Sequence, residues 1–166
     1  MPDNALDALK EAILLERRGR AFYMQVAAQT PNTAVREFFE TMAEEELQHM
    51  QILEEQYRHV ASGGGFTGLD ERLSGGRPLA DMVLTPDLKQ RIAAADFEAA
   101  AISAAVLMEE RAIAVYGARA AQAVDPNEKE LFEWLVRWEQ GHLSFLAELD
   151  REIKERIWND RQFWPF

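Results

Sequence analysis

Cysteine is absent from the 166 residues, and that absence removes disulfides, thiolate zinc sites, iron–sulfur clusters and cysteine nucleophiles together. Any metal bound here must be held by Glu, Asp or His. Basic residues are also scarce: 18 Lys and Arg stand against 29 Asp and Glu, for a formal net charge of −11. A surface of that sign repels phosphate backbones, and no Lys/Arg cluster compensates for it, so no nucleic-acid partner is expected. No apolar run approaches the length that spans a bilayer. The opening Met1-Pro2-Asp3-Asn4 has neither the basic nor the apolar region of a secretory signal, so the expectation is a cytoplasmic protein with no membrane partner.

Glycine and proline are few and gathered in a few places, leaving long stretches of Ala, Leu, Glu, Arg and Met. Those residues favour helix. The length and a hydrophobic content of 48% fit one domain with a proper core. A first helical pattern opens at Asp3, a plausible N-cap, carries Leu6, Leu9, Ile13, Leu14, Phe22 and Val26, and stops near Gln29-Thr30-Pro31-Asn32. A second runs from about Thr33 to Val60 on a stripe that includes Phe38, Phe39, Met42 and Leu53, and the Ser62-Gly63-Gly64-Gly65 run ends it. A Gly-rich crossover occupies residues 61–86, with a short helical piece expected around Pro78 to Leu84. A third helix covers roughly Asp96 to Ala123, and Val124-Asp125-Pro126-Asn127 turns the chain into a fourth that reaches about Trp158. An aromatic tail, 159–166, follows. The reading is all-α: a four-helix bundle of two hairpins joined by a long crossover.

The hairpins repeat one another without a gap. Asp3 maps to Asp96, Glu16 to Glu109, Tyr23 to Tyr116, Phe39 to Phe132, Glu46 to Glu139, His49 to His142 and Leu53 to Leu146, always at the same offset. Polar matches on both helices of each hairpin exceed what a shared amphipathic pattern would produce. Glu46 and His49 are three residues apart, as are Glu139 and His142, so each pair projects from one helical face. Glu16 and Glu109 stand mid-helix among apolar neighbours, where an unpaired carboxylate is costly. Four carboxylates and two imidazoles balance two divalent cations, and oxygen ligands with one imidazole per ion suit iron or manganese, with zinc also admitted. Tyr23 and Tyr116 each follow a candidate Glu by two turns, within reach of a ligand carboxylate.

A single Glu-x-x-His on a helix is weak evidence of ligation, since both residues commonly face solvent. Here two of the three histidines occupy repeat-matched positions. His59 maps onto Glu152 and reads as a surface residue. Glu44 and Glu45 map onto Arg137 and Trp138 and read as solvated, while Glu110 maps onto Arg17 and leaves the ligand role to Glu109. The aromatic tail, with Trp158, Phe163, Trp164 and Phe166, is expected to pack over the bundle end or across a homodimer, or else to dock another protein.

At these residues the chain resembles the ferritin-like superfamily and, within it, the rubrerythrin-like proteins. The segment from Ala12 to Tyr23 looks like that family's first-helix motif, Glu46-Leu47-Gln48-His49-Met50 like its second, and the second hairpin repeats both. The resemblance implies a di-iron centre held by Glu16, Glu46, His49, Glu109, Glu139 and His142 that reacts with hydrogen peroxide or dioxygen. Two departures accompany it. Without cysteine the rubredoxin-type iron module is missing, so an external electron donor protein is expected. The additional third-helix Glu has no counterpart, because Ala112 stands three residues after Glu109. The functions implied are a di-iron oxidoreductase of peroxidase or ferroxidase type, an iron-storage protein, or a bundle whose metal only stabilises it.

Overall fold

The helix-favouring stretches form five α-helices among the residues described, 5–69, 85–93 and 96–159, of the computed structural model. They are α1 (Ala5–Gln29), α2 (Thr33–Ala61), α3 (Pro86–Ala93), α4 (Asp96–Gln122) and α5 (Pro126–Asn159), and no strand occurs among the described residues. The expected cap at Asp3, the helical piece around Pro78 to Leu84 and the tail beyond Asn159 lie outside them. Trp158, at the tail's start, is exposed. None of the described helices is long and apolar enough to cross a membrane.

Local chemistry closes each hairpin. Thr30 ends α1 by donating its backbone N–H to the Ala27 carbonyl at 3.2 Å and its hydroxyl to the Val26 carbonyl at 2.8 Å. Pro31 cannot continue the ladder. Asn32 then caps α2, its side chain accepting from the Val35 N–H at 3.2 Å. In the second hairpin the Asp125 carboxylate accepts from the Asn127 N–H at 2.8 Å, and Arg119 Nε donates to Glu128 Oε1 at 2.6 Å across the turn. Gly63, at φ +89°, ends α2 in the left-handed conformation that a side chain disfavours. Beyond it, buried Gln56 holds the extended chain down: its amide donates to the Thr67 carbonyl at 3.1 Å and accepts from the Thr67 N–H at 3.0 Å.

Two details depart from the reading of the sequence. An eight-residue helix, α3 (Pro86–Ala93), lies before the expected third helix; Thr85 begins it, its hydroxyl accepting from the Leu88 N–H at 3.2 Å. Its Leu88 and Ile92 are buried in the core. Leu14, counted in the α1 stripe, is instead 51% exposed. The apolar interior forms two clusters, one around Tyr23, Phe38, Phe39, Met42, Ile102 and Leu146, the other around Leu9, Leu53, Tyr116, Phe132, Trp134 and Leu135. Tyr23 in the first and Tyr116 in the second both reach the same group of buried carboxylates. The polar centre therefore lies between the two cores.

Candidate metal centre

Each helix of the two hairpins supplies the centre from the middle of its length. α1 contributes Glu16, α2 Glu46 and His49, α4 Glu109, and α5 Glu139 and His142, and all six are at least 96% buried. The Glu-x-x-His spacing brings both members to the interior, as the helical period requires. Two overlapping sets result: Glu16, Glu46, His49 and Glu139 place ligand-capable atoms within 4.8 Å of one another, and Glu46, Glu109, Glu139 and His142 do the same. Glu46 and Glu139 belong to both sets. Each remaining Glu pairs with one imidazole.

The imidazoles face the centre through the same nitrogen. His49 Nδ1 lies 3.0 Å from Glu16 Oε2 and 3.2 Å from Glu139 Oε1, and His142 Nδ1 lies 3.0 Å from Glu139 Oε2 and 3.4 Å from Glu46 Oε1. Their rings stack with centroids 5.8 Å apart. Tyr23 donates its hydroxyl to Glu109, and Tyr116 donates to Glu16. Each tyrosine thus reaches a carboxylate of the opposite hairpin, so these bonds tie the two halves together at the centre.

Burial and crowding displace the titrations of these groups. Desolvation, followed by the charges of Glu16 and Glu139, holds Glu46 well above the usual carboxylate range. Desolvation and the Glu139 charge push Glu109 up to about 8, against the opposing pull of His142. Burial favours neutral His49, but the Glu16 charge and hydrogen bonds to Glu139 and Glu16 outweigh it and raise it to about 9. Burial likewise opposes charge on Glu139, yet His142 and His49 hold its carboxyl well below the usual range. Desolvation and nearby carboxylates push both tyrosines well up. The raised values of Glu46, Glu109, His49 and His142 all favour the protonated forms, which offset the crowding of negative charge.

Both Glu139 oxygens and His142 Nδ1 are buried without a hydrogen-bond partner among the described residues. Buried polar atoms left without a well-aligned hydrogen bond are expensive in a low-dielectric interior, and a divalent cation would satisfy them. The donor set therefore fits a metal pair, with oxygen-rich ligands and one imidazole per ion.

Glu45 is the clearest correction to the sequence reading. Assigned to solvent because the repeat sets Trp138 opposite it, Glu45 is fully buried and hydrogen-bonded to His142 Nε2. Its signal was helical spacing, three residues after Met42 and four before His49, both of which are buried. Glu44 is exposed. His59 is exposed as expected, with Nδ1 2.7 Å from the Gly65 carbonyl. Gly19 was also missed: a Cβ there would stand 3.2 Å from Glu46 Cδ.

A cavity of about 200 Å³ opens beside the centre between α1 and α4. Its lining follows the repeat, with Leu15 and Met108, Glu16 and Glu109, Arg18 and Arg111, and Gly19 and Ala112 at matched positions.

Two antiparallel hairpins enclosing a buried layer of Glu-x-x-His and single-Glu positions define a ferritin-like helical bundle with a carboxylate–histidine centre able to hold metal. The family model described as Rubrerythrin matches residues 7–150, and the chain belongs to that family. No curated protein and no solved structure matches it significantly.

Proposed function

We propose that Glu16, Glu46, His49, Glu109, Glu139 and His142 hold two iron ions, and that this centre reduces hydrogen peroxide, or reacts with dioxygen, using electrons from a separate donor protein. The observation that carries the reading is the pair of overlapping four-residue sets sharing Glu46 and Glu139, in a chain of the Rubrerythrin family. Iron pairs supply two electrons at one place, which is the requirement for taking peroxide to two waters without releasing a radical.

The chain's own residues do the rest. Tyr23 and Tyr116 hold Glu109 and Glu16 by hydrogen bonds, so those carboxylates keep their orientation while the charge at the centre changes. The cavity between Leu15, Met108, Gly19 and Ala112 admits a molecule of a few heavy atoms to the open side of the carboxylates. Its small residues at 19 and 112 leave that side uncovered. The 166 residues contain no cysteine, hence no thiolate iron site or dithiol, and electrons for turnover must come from another redox group.

The test is anaerobic loading with ferrous iron followed by rapid mixing with peroxide. The expected result is one fast oxidation phase per chain and steady peroxide consumption only when a rubredoxin-like donor and its reductase are present. Peroxide oxidation no faster than that of free ferrous ion, with dioxygen driving many irons into each chain, would replace this reading by iron storage.

A further inference from the structure

The repeat that matches the ligands breaks at the position behind them. Both histidines turn Nδ1 toward the carboxylates, so in a ligating, neutral ring the proton sits on Nε2. For His142, Nε2 meets the buried carboxylate of Glu45. For His49, Nε2 is buried with no hydrogen-bond partner among the described residues. The offset places Trp138 where Glu45 stands in the other half. Trp138 and Trp134 accordingly flank the His49 ring, with centroids at 5.3 and 5.4 Å and planes inclined by 74° and 79°.

We propose that the two metal positions are unequal: the His142 position holds its ion tightly through Glu45, and the His49 position, boxed by Trp134 and Trp138, exchanges its ion. This rests on the six-ligand reading above and adds Glu45 as a positioning residue. A carboxylate accepting from Nε2 fixes the tautomer and the ring orientation and raises the basicity of the ligating nitrogen; loss of such a partner typically lowers metal affinity by about 10–100-fold. The T-shaped indole contacts of His49 supply packing but no charged acceptor for Nε2. Glu45 also brings a further buried carboxylate to the His142 side, beside Glu46, Glu109 and Glu139, which further favours a cation there. One resident ion beside one exchangeable ion is the outcome.

The test is a zinc titration of the chelator-stripped protein against a competing chromophoric chelator. Zinc is used because it does not change oxidation state. Two ions per chain are expected in steps separated by about 10-fold or more. Repulsion between neighbouring cations would also separate the steps, so the variants decide. Glu45→Gln, which keeps the side-chain shape, is expected to weaken the tight step by about 10-fold and narrow the gap. Trp138→Glu is expected to tighten the weak step, while Trp138→Phe leaves it weak. If Trp138→Glu fails to fold by circular dichroism, Glu45→Gln decides alone. Equal steps in the unaltered protein, or a gap that Glu45→Gln leaves unchanged, would overturn the inequality while leaving the six-ligand reading intact. Saturation below two ions per chain would instead sink the six-ligand reading itself.

Discussion

At the scale of single residues, the two tyrosines beside the centre have buried hydroxyls that are tolerable because each has a partner. Tyr23 and Tyr116 are fully buried, and each hydroxyl donates to a carboxylate of the other hairpin. Removing one hydroxyl leaves a buried acceptor short of a donor, which costs about 1–3 kcal/mol. Tyr23→Phe and Tyr116→Phe should therefore each lower the denaturant midpoint of the metal-loaded protein, by similar amounts because the two contacts are counterparts. Unfolding curves that superimpose on the parent for both variants would show that the hydroxyls contribute nothing.

At the scale of elements, α1 carries a conflict between helix stability and the site. Gly19 lies inside a 25-residue helix, where glycine costs about 1 kcal/mol relative to alanine. Its counterpart in α4 is Ala112, so nothing in the fold forbids a methyl group at that level. What does object is Glu46, whose carboxylate carbon would lie 3.2 Å from the new Cβ and must give way by a few tenths of an ångström. Gly19→Ala should thus leave the chelator-treated protein as stable or up to about 1 kcal/mol more stable, while weakening metal binding through the displaced carboxylate. Unchanged metal affinity in an otherwise stabilised variant would mean that Glu46 moves freely.

For the whole molecule, the crowded centre makes stability depend on pH and metal together. Glu109 titrates near 8 in the fold against 4.5 in an ordinary carboxyl, and Glu46 is also raised. Between those values the native state binds more protons than the unfolded chain, so its stability falls as pH rises. His49, raised from 6.5 to about 9, extends the decline toward pH 9. Glu139 acts oppositely, because its depressed value costs stability only as pH drops below the usual carboxylate range. Metal-free protein should melt highest in mildly acid solution and lose stability steadily toward pH 9. Divalent metal at a thousand times its Kd adds about 4 kcal/mol, roughly 8–16 °C in Tm for a chain of this size, and should flatten that decline by replacing the protons. The measurement is a set of melting curves from pH 5 to 9 with chelator and with zinc. A metal-free Tm that rises toward pH 9 would contradict the account.

The sequence alone determined the four long helices, their pairing into hairpins and the six residues that meet, because helical period and a constant repeat offset are one-dimensional signals. The 3.6-residue turn places Glu46 beside His49 whatever surrounds them, and the repeat says that Glu139 and His142 are placed alike. Tertiary structure decided everything that depends on which surface faces which. Glu45 lies one residue from Glu46, yet only the approach of α5 gives it His142 as a partner and hence a reason to be buried. The tyrosines' positions two turns from Glu16 and Glu109 pointed to a carboxylate, but the crossing between hairpins required packing of α1 against α4. Helix α3, at eight residues, is too short for periodicity to announce it; it is held by Leu88 and Ile92 in a core formed with the other helices. The proposed difference between the two metal positions draws on both levels: the replacement of Glu45 by Trp138 across the repeat is written in the chain, and its consequence depends on where those side chains meet the two histidines.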